Sequence, residues 1–151
     1  MADDSYWETW LARQRVALEA MPGGPQLIAH LGFTPSFHDA EIVRLDLQRG
    51  KPSLLSLQTW KVDESDRIVV DIAMGTVIDL MLDGFSAQNV VGEVRLELPA
   101  PPREDRVNVH FPSGRLSEEV EIGLGDIYGI SGFIRCLDVS LSFRPLRRRR
   151  R

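Results

Sequence analysis

From Val43 to Phe143 the apolar residues recur mainly at every second position, a period that demands strands rather than helices. Val43, Leu45 and Leu47 alternate with Arg44, Asp46 and Gln48, and Leu55, Leu57 and Thr59 follow the Gly50-Lys51-Pro52 turn. Ile68, Val70, Ile72 and Met74 form the next run. Gly75 interrupts it, and Ile78, Leu80 and Leu82 resume with Asp79 and Asp83 on the opposite face. Val90, Val94, Leu96 and Leu98 carry Glu93, Arg95 and Glu97 between them. Further strands are expected over Val107 to Phe111, Val120 to Ile122, Ile127 to Ile130 and Leu137 to Phe143. The short turns between them imply antiparallel pairing. A hairpin joining the strands around Leu80 and Leu96 is favoured in the register that sets Asp79 against Arg95, because the adjacent register opposes Asp79 to Glu93. Its loop is Phe85-Ser86-Ala87-Gln88-Asn89.

Ahead of the strands the period is helical. Ser5-Tyr6-Trp7-Glu8 has the form of a capping box, and Trp7, Trp10, Leu11, Ala17, Leu18 and Met21 trace one face that is expected to be core. Met21-Pro22-Gly23-Gly24-Pro25 stops that helix, and Pro25 opens a short second one over Gln26 to Leu31, closed by Gly32. The expected fold is α+β: an N-terminal amphipathic helix and a short second helix packed on a twisted, mainly antiparallel sheet of about 7–9 strands. A chain of 151 residues suits one domain, taken as residues 1–146, with Pro99-Ala100-Pro101-Pro102 as a stiff connector inside it.

Charge divides the chain. Arg147 to Arg151 take five of the 18 Lys+Arg residues, so residues 1–146 set 13 bases against 22 acids, a formal charge of −9. Such a body repels the phosphates of DNA or RNA and suits a basic protein partner. The arginine tail reads as a flexible solubilising end, and it is the one route by which nucleic acid would be engaged. No apolar run reaches the ~18 residues of a membrane span, and Met1-Ala2-Asp3-Asp4 lacks the basic-then-apolar profile of a secretory leader. The single Cys136 forms no internal disulfide, which suits a reducing, cytoplasmic setting.

The most suggestive polar cluster is Phe37-His38-Asp39-Ala40-Glu41. Imidazole beside carboxylates suits a metal site or an acid–base pair, and a small metal-dependent or hydrolytic enzyme built on His38, Asp39 and Glu41 is the alternative it raises. On a strand, however, His38 and Glu41 point to opposite faces, and the other histidines, His30 and His110, are distant in sequence. The favoured reading gives Asp39 and His38 a role in the turn and its backbone. Nucleophile-elbow, phosphate-loop, zinc and C-x-x-C patterns are absent, Gly123-Leu124-Gly125 is too short for a dinucleotide fingerprint, and Cys136 reads as a packing residue. No catalytic residue, metal or cofactor is expected. Asp71, Asp79, Asp83, Glu93 and Glu97 form a candidate acidic docking face, with Phe85, Gln88 and Asn89 as possible loop contacts.

Pro35-Ser36-Phe37-His38-Asp39-Ala40-Glu41-Ile42, the alternating strand after it, and Gly84-Phe85 with Gln88-Asn89-Val90 resemble the immunity protein 50 family of bacterial polymorphic-toxin systems. The resemblance covers roughly residues 30–145, with the F-H-D-A-E core as its most specific part. It implies a cytoplasmic protein that neutralises a cognate toxin by binding it. No catalytic residue carries over. Phe37, His38, Asp39, Glu41, Gln88 and Asn89 match the motif without a stated role, and the arginine tail has no counterpart.

Overall fold

The computed structural model describes residues 4–62, 66–98 and 119–146. Two helices, α1 (Asp4–Glu19) and α2 (Gly24–Leu31), precede six strands among the described residues. These are β1 (Glu41–Asp46), β2 (Ser53–Trp60), β3 (Arg67–Asp83), β4 (Val90–Glu97), β5 (Val120–Tyr128) and β6 (Ser131–Pro145). All pairings are antiparallel, so the fold is α+β as expected. The sheet does not lie open beneath a helix. Its order β1-β2-β3-β6-β5-β4 closes into a barrel, which removes the exposed edges that an open sheet must protect.

Closure overturns the hairpin expected between Asp79 and Arg95. β3 pairs along its length with β6, and β4 pairs with β5, so Asp79 stands opposite Arg135 and Arg95 opposite Gly123. Local charge pairing cannot decide between neighbours when the partner strand lies more than 50 residues further along the chain. Among the described residues, longer strands also replace some of the expected short ones. β3 runs through Gly75, where a Cβ would approach that of Asp138 to 2.8 Å; Asp138 has a left-handed backbone (φ 58°), and the β3–β6 register slips by one residue nearby, between Val77 and Asp79 of β3. Across Asp138 the core-facing side of β6 changes from Ile134 and Cys136 to Val139 and Leu141. The two expected strands at Val120 to Ile122 and Ile127 to Ile130 run together as β5 up to Tyr128. The expected strand at Val107 to Phe111 and the proline connector lie outside the described residues, as does the arginine tail.

The helices fill the part of the barrel wall where strands part company. β5 pairs with β6 only as far as Cys136, and the exposed backbone of β6 beyond it is met by the turn between the helices. The Leu141 N–H donates to the Pro22 carbonyl at 2.7 Å, and the His30 ring stacks on Phe143 at 4.7 Å. Gly23 makes this approach possible: its φ is 84°, and any Cβ there would overlap the Leu141 carbonyl. On the other side, the buried Gln14 amide donates to the Leu96 carbonyl at 3.1 Å and accepts from the Leu96 N–H at 2.8 Å. A side-chain amide thus replaces a missing strand along β4.

Leu18, Leu27 and Leu31 from the helices join Leu57, Ile72 and Ile134 of the barrel in one continuous core. The stripe expected on α1 is only half realised. Gln14, Ala17 and Leu18 are buried, whereas Trp7 is exposed and stacks flat on Trp10, with ring centroids 4.9 Å apart. The helix is tied to β4 at Gln14, about two turns beyond Trp7, so Trp7 lies short of the core while Trp10 is half-buried. Ser5 lies within the described helix, where its carbonyl accepts from the Thr9 hydroxyl, rather than at its cap. No helix among the described residues is long and apolar enough to cross a membrane.

Candidate functional site

The two segments that carry the family resemblance, separated by some 45 residues in sequence, are zipped together where the barrel closes. Asp39 N–H donates to the Val91 carbonyl, Val91 N–H to the Ala40 carbonyl, and Ile42 N–H to the Asn89 carbonyl, at 3.0, 2.9 and 2.8 Å. Glu41 stands opposite Val90. Phe37 and Ala40 point into the core, and both Phe37 and Asp39 adopt left-handed backbones, with φ of 58° and 63°. Those two bends keep Phe37 and Ala40 in the core and leave His38 and Asp39 outside while the chain turns onto β4, a conformation asparagine and aspartate tolerate better than phenylalanine does. Much of the F-H-D-A-E pattern is therefore accounted for by the seam.

What remains at the surface is the His38–Asp39 pair. His38 Nδ1 lies 3.0 Å from Asp39 Oδ2, with the side chains 63% and 49% exposed. The adjoining recess, about 170 Å³, is lined by Phe33, Thr59, Trp60 and Lys61. Imidazole and carboxylate thus meet in open solvent at a turn. Among the described residues no group of three His, Cys, Asp or Glu side chains is arranged to hold a metal ion.

Asn89 does the organising at the other segment. Its buried side chain accepts from Ser86 N–H at 3.0 Å and Ile130 N–H at 3.1 Å, and donates to the Ser86 carbonyl at 2.8 Å. The residues expected to form a hairpin loop instead cross the end of the barrel from β3 to β4, passing over the β5–β6 turn. Gly84 and Gly129 touch at that crossing, where a Cβ on Gly84 would come within 2.5 Å of the Gly129 carbonyl. Gln88 is exposed and Phe85 projects to solvent.

The five candidate acids do not form one open face. Asp71 accepts from the Ser56 hydroxyl and faces Arg144 at 3.4 Å. Glu97 holds Arg95 Nε at 2.9 Å, Asp83 accepts from the Gly84 N–H, and Glu93 lines a small polar recess of about 100 Å³ with Arg95 and Gly125. Asp79 and Glu97 end a cross-strand row that runs through Arg135 and Glu121. Sequence reasoning missed that row. Arg135 is fully buried, with Glu121 at 3.4 Å and Glu119 at 3.6 Å; both carboxylates are also buried. The available signal was a lone arginine between Ile134 and Cys136 on a strand otherwise apolar at those positions. Burial, and then the Glu119 charge, pushes the Cys136 thiol up from 9.0 to about 12, which makes it a poor nucleophile.

A larger groove, about 380 Å³, lies between α1 and the end of β4, lined by Trp10, Arg13, Gln14, Arg95, Glu97 and Leu98. It adjoins the Gln14–Leu96 junction and gathers one face of Trp10 with charges of both signs. Comparison of the chain with protein-family models, curated proteins and solved structures found no match.

Proposed function

We propose that the protein is a non-catalytic inhibitor that binds a basic toxin domain and neutralises it, acting in the cytoplasm of the producing cell. The observation that carries this reading is charge: residues 1–146 hold a formal −9. A field of that sign raises the association rate with a basic partner and disfavours wrong ones, contributing more to rate and specificity than to affinity. The resemblance to the immunity protein 50 family supports the same reading. The barrel also offers a rigid frame, so little ordering cost is added on binding.

The direct test is co-expression of the chain with the toxin domain encoded beside its gene. A stoichiometric complex and protection of the cells are expected; absence of both removes the reading. Asp83 is the exposed member of the five candidate acids, the other four being half-buried, so Asp83→Lys should slow association strongly at low salt and less at high salt.

A further inference from the structure

Large apolar side chains exposed on this protein are mostly scattered, as on any soluble surface. One end of the barrel departs from that pattern. Leu80, Met81, Phe85, Ile127 and Tyr128 are all exposed, and all lie within four residues of the Gly84–Gly129 crossing. Phe85, Tyr128 and Met81 are 69%, 64% and 62% exposed, although each is a residue type that protein interfaces bury preferentially. The platform beneath them is stiff, because Asn89 ties Ser86 to Ile130 and the zipped seam holds Val90 beside Glu41.

The two segments that build this end carry charge of one sign. Residues 79–94 and 119–134, which supply the crossing loop and the β5–β6 turn, contain no lysine or arginine, while Asp79, Asp83 and Glu93 flank the apolar side chains in sequence. The nearest arginines are occupied or hidden: Arg95 is paired with Glu97 and Glu121, and Arg135 is fully buried. On the seam side stand His38, Asp39 and Glu41, with Lys61 in the recess beside His38.

We propose that this end of the barrel is the docking surface for the basic partner, with Met81, Phe85 and Tyr128 as its apolar centre and Asp83 on its rim. The inference rests on the reading of the chain as a binding protein and specifies which face does the binding. The fitting occupant is a protein surface with an apolar projection ringed by lysine and arginine. Nucleic acid is repelled by the rim, and a second copy would bring two acidic rims together.

The test uses the full chain and the toxin domain encoded beside it, with Phe85→Ser, Tyr128→Ser and, as a comparably exposed control on α1, Val16→Ser. Each aromatic variant should weaken binding at least about 30-fold, the scale of an interface hot spot, with unchanged thermal unfolding, while Val16→Ser binds like the parent. Hydrogen exchange of the parent chain gives a readout independent of any variant: amides of 80–88 and 127–131 should slow in the complex. If the parent binds but the aromatic variants stay within about threefold and these amides are unprotected, the surface lies elsewhere and the binding reading survives. If the parent does not bind, the functional reading falls and takes this surface with it. Self-association of the parent that Phe85→Ser abolishes would assign the patch to a second copy and overturn the proposal.

Discussion

Gln14 offers the sharpest check on how the barrel wall is completed. Its amide pairs with both the N–H and the carbonyl of Leu96, and both residues are buried. Gln14→Ala removes two hydrogen bonds and leaves two backbone groups facing apolar surroundings, each costing about 1–3 kcal/mol, so a loss of about 2–4 kcal/mol is expected. For a chain of 151 residues that lowers the melting temperature by about 5–15 °C. Gln14→Glu separates the hydrogen-bond argument from simple loss of packing. An ionised carboxylate accepts from the Leu96 N–H but repels the Leu96 carbonyl; the protonated acid satisfies both. The folded state therefore raises this pKa above the ~4.3 of an unfolded glutamate. The variant should be closest to the parent below about pH 4 and lose ground as pH rises through the raised value. Circular-dichroism melts of the parent, Gln14→Ala and Gln14→Glu between about pH 3.5 and pH 8 read this directly. A Gln14→Ala melt within 1–2 °C of the parent, or a Gln14→Glu deficit that does not shrink on acidification, refutes the reasoning (~1 kcal/mol resolution is ample).

Three further outcomes follow from buried polar groups. Asn89→Ala should cost about 2–4 kcal/mol in urea unfolding through the loss of its three side-chain hydrogen bonds, and should speed exchange of the Ile130 amide. Arg135→Met takes a buried cation from beside Glu119 and Glu121, so a loss of about 3–5 kcal/mol in urea unfolding at pH 7 is expected. Cys136 should resist thiol reagents at pH 8 until the chain unfolds. Because its folded pKa of about 12 exceeds the ordinary 9.0, the unfolded thiol ionises first. Stability relative to Cys136→Ala should therefore fall by about 1.4 kcal/mol per pH unit above pH 9, measured as paired melts.

Period and punctuation in the sequence determined the elements: the alternation of Ile68, Val70, Ile72 and Met74 requires a strand, and Pro22-Gly23-Gly24-Pro25 requires a break between two helices. The same local signals made Cys136 a packing residue, and it lies buried in the core, whereas Asn89, expected as a loop contact, is buried and bonds its own loop instead. Tertiary structure alone decided which strands are neighbours. Every strand with one apolar face has the same need for a partner, so alternation cannot say that β3 belongs beside β6 or that Asp79 meets Arg135. It also decided which apolar residues stay outside. The spacing of Trp7 fits a core stripe, and only the reach of α1 over β4 leaves it in solvent; the path of the 84–89 loop across the barrel end likewise sets how far Phe85 projects. Hydrophobicity is a property of a side chain, whereas burial is a property of what the rest of the chain places over it.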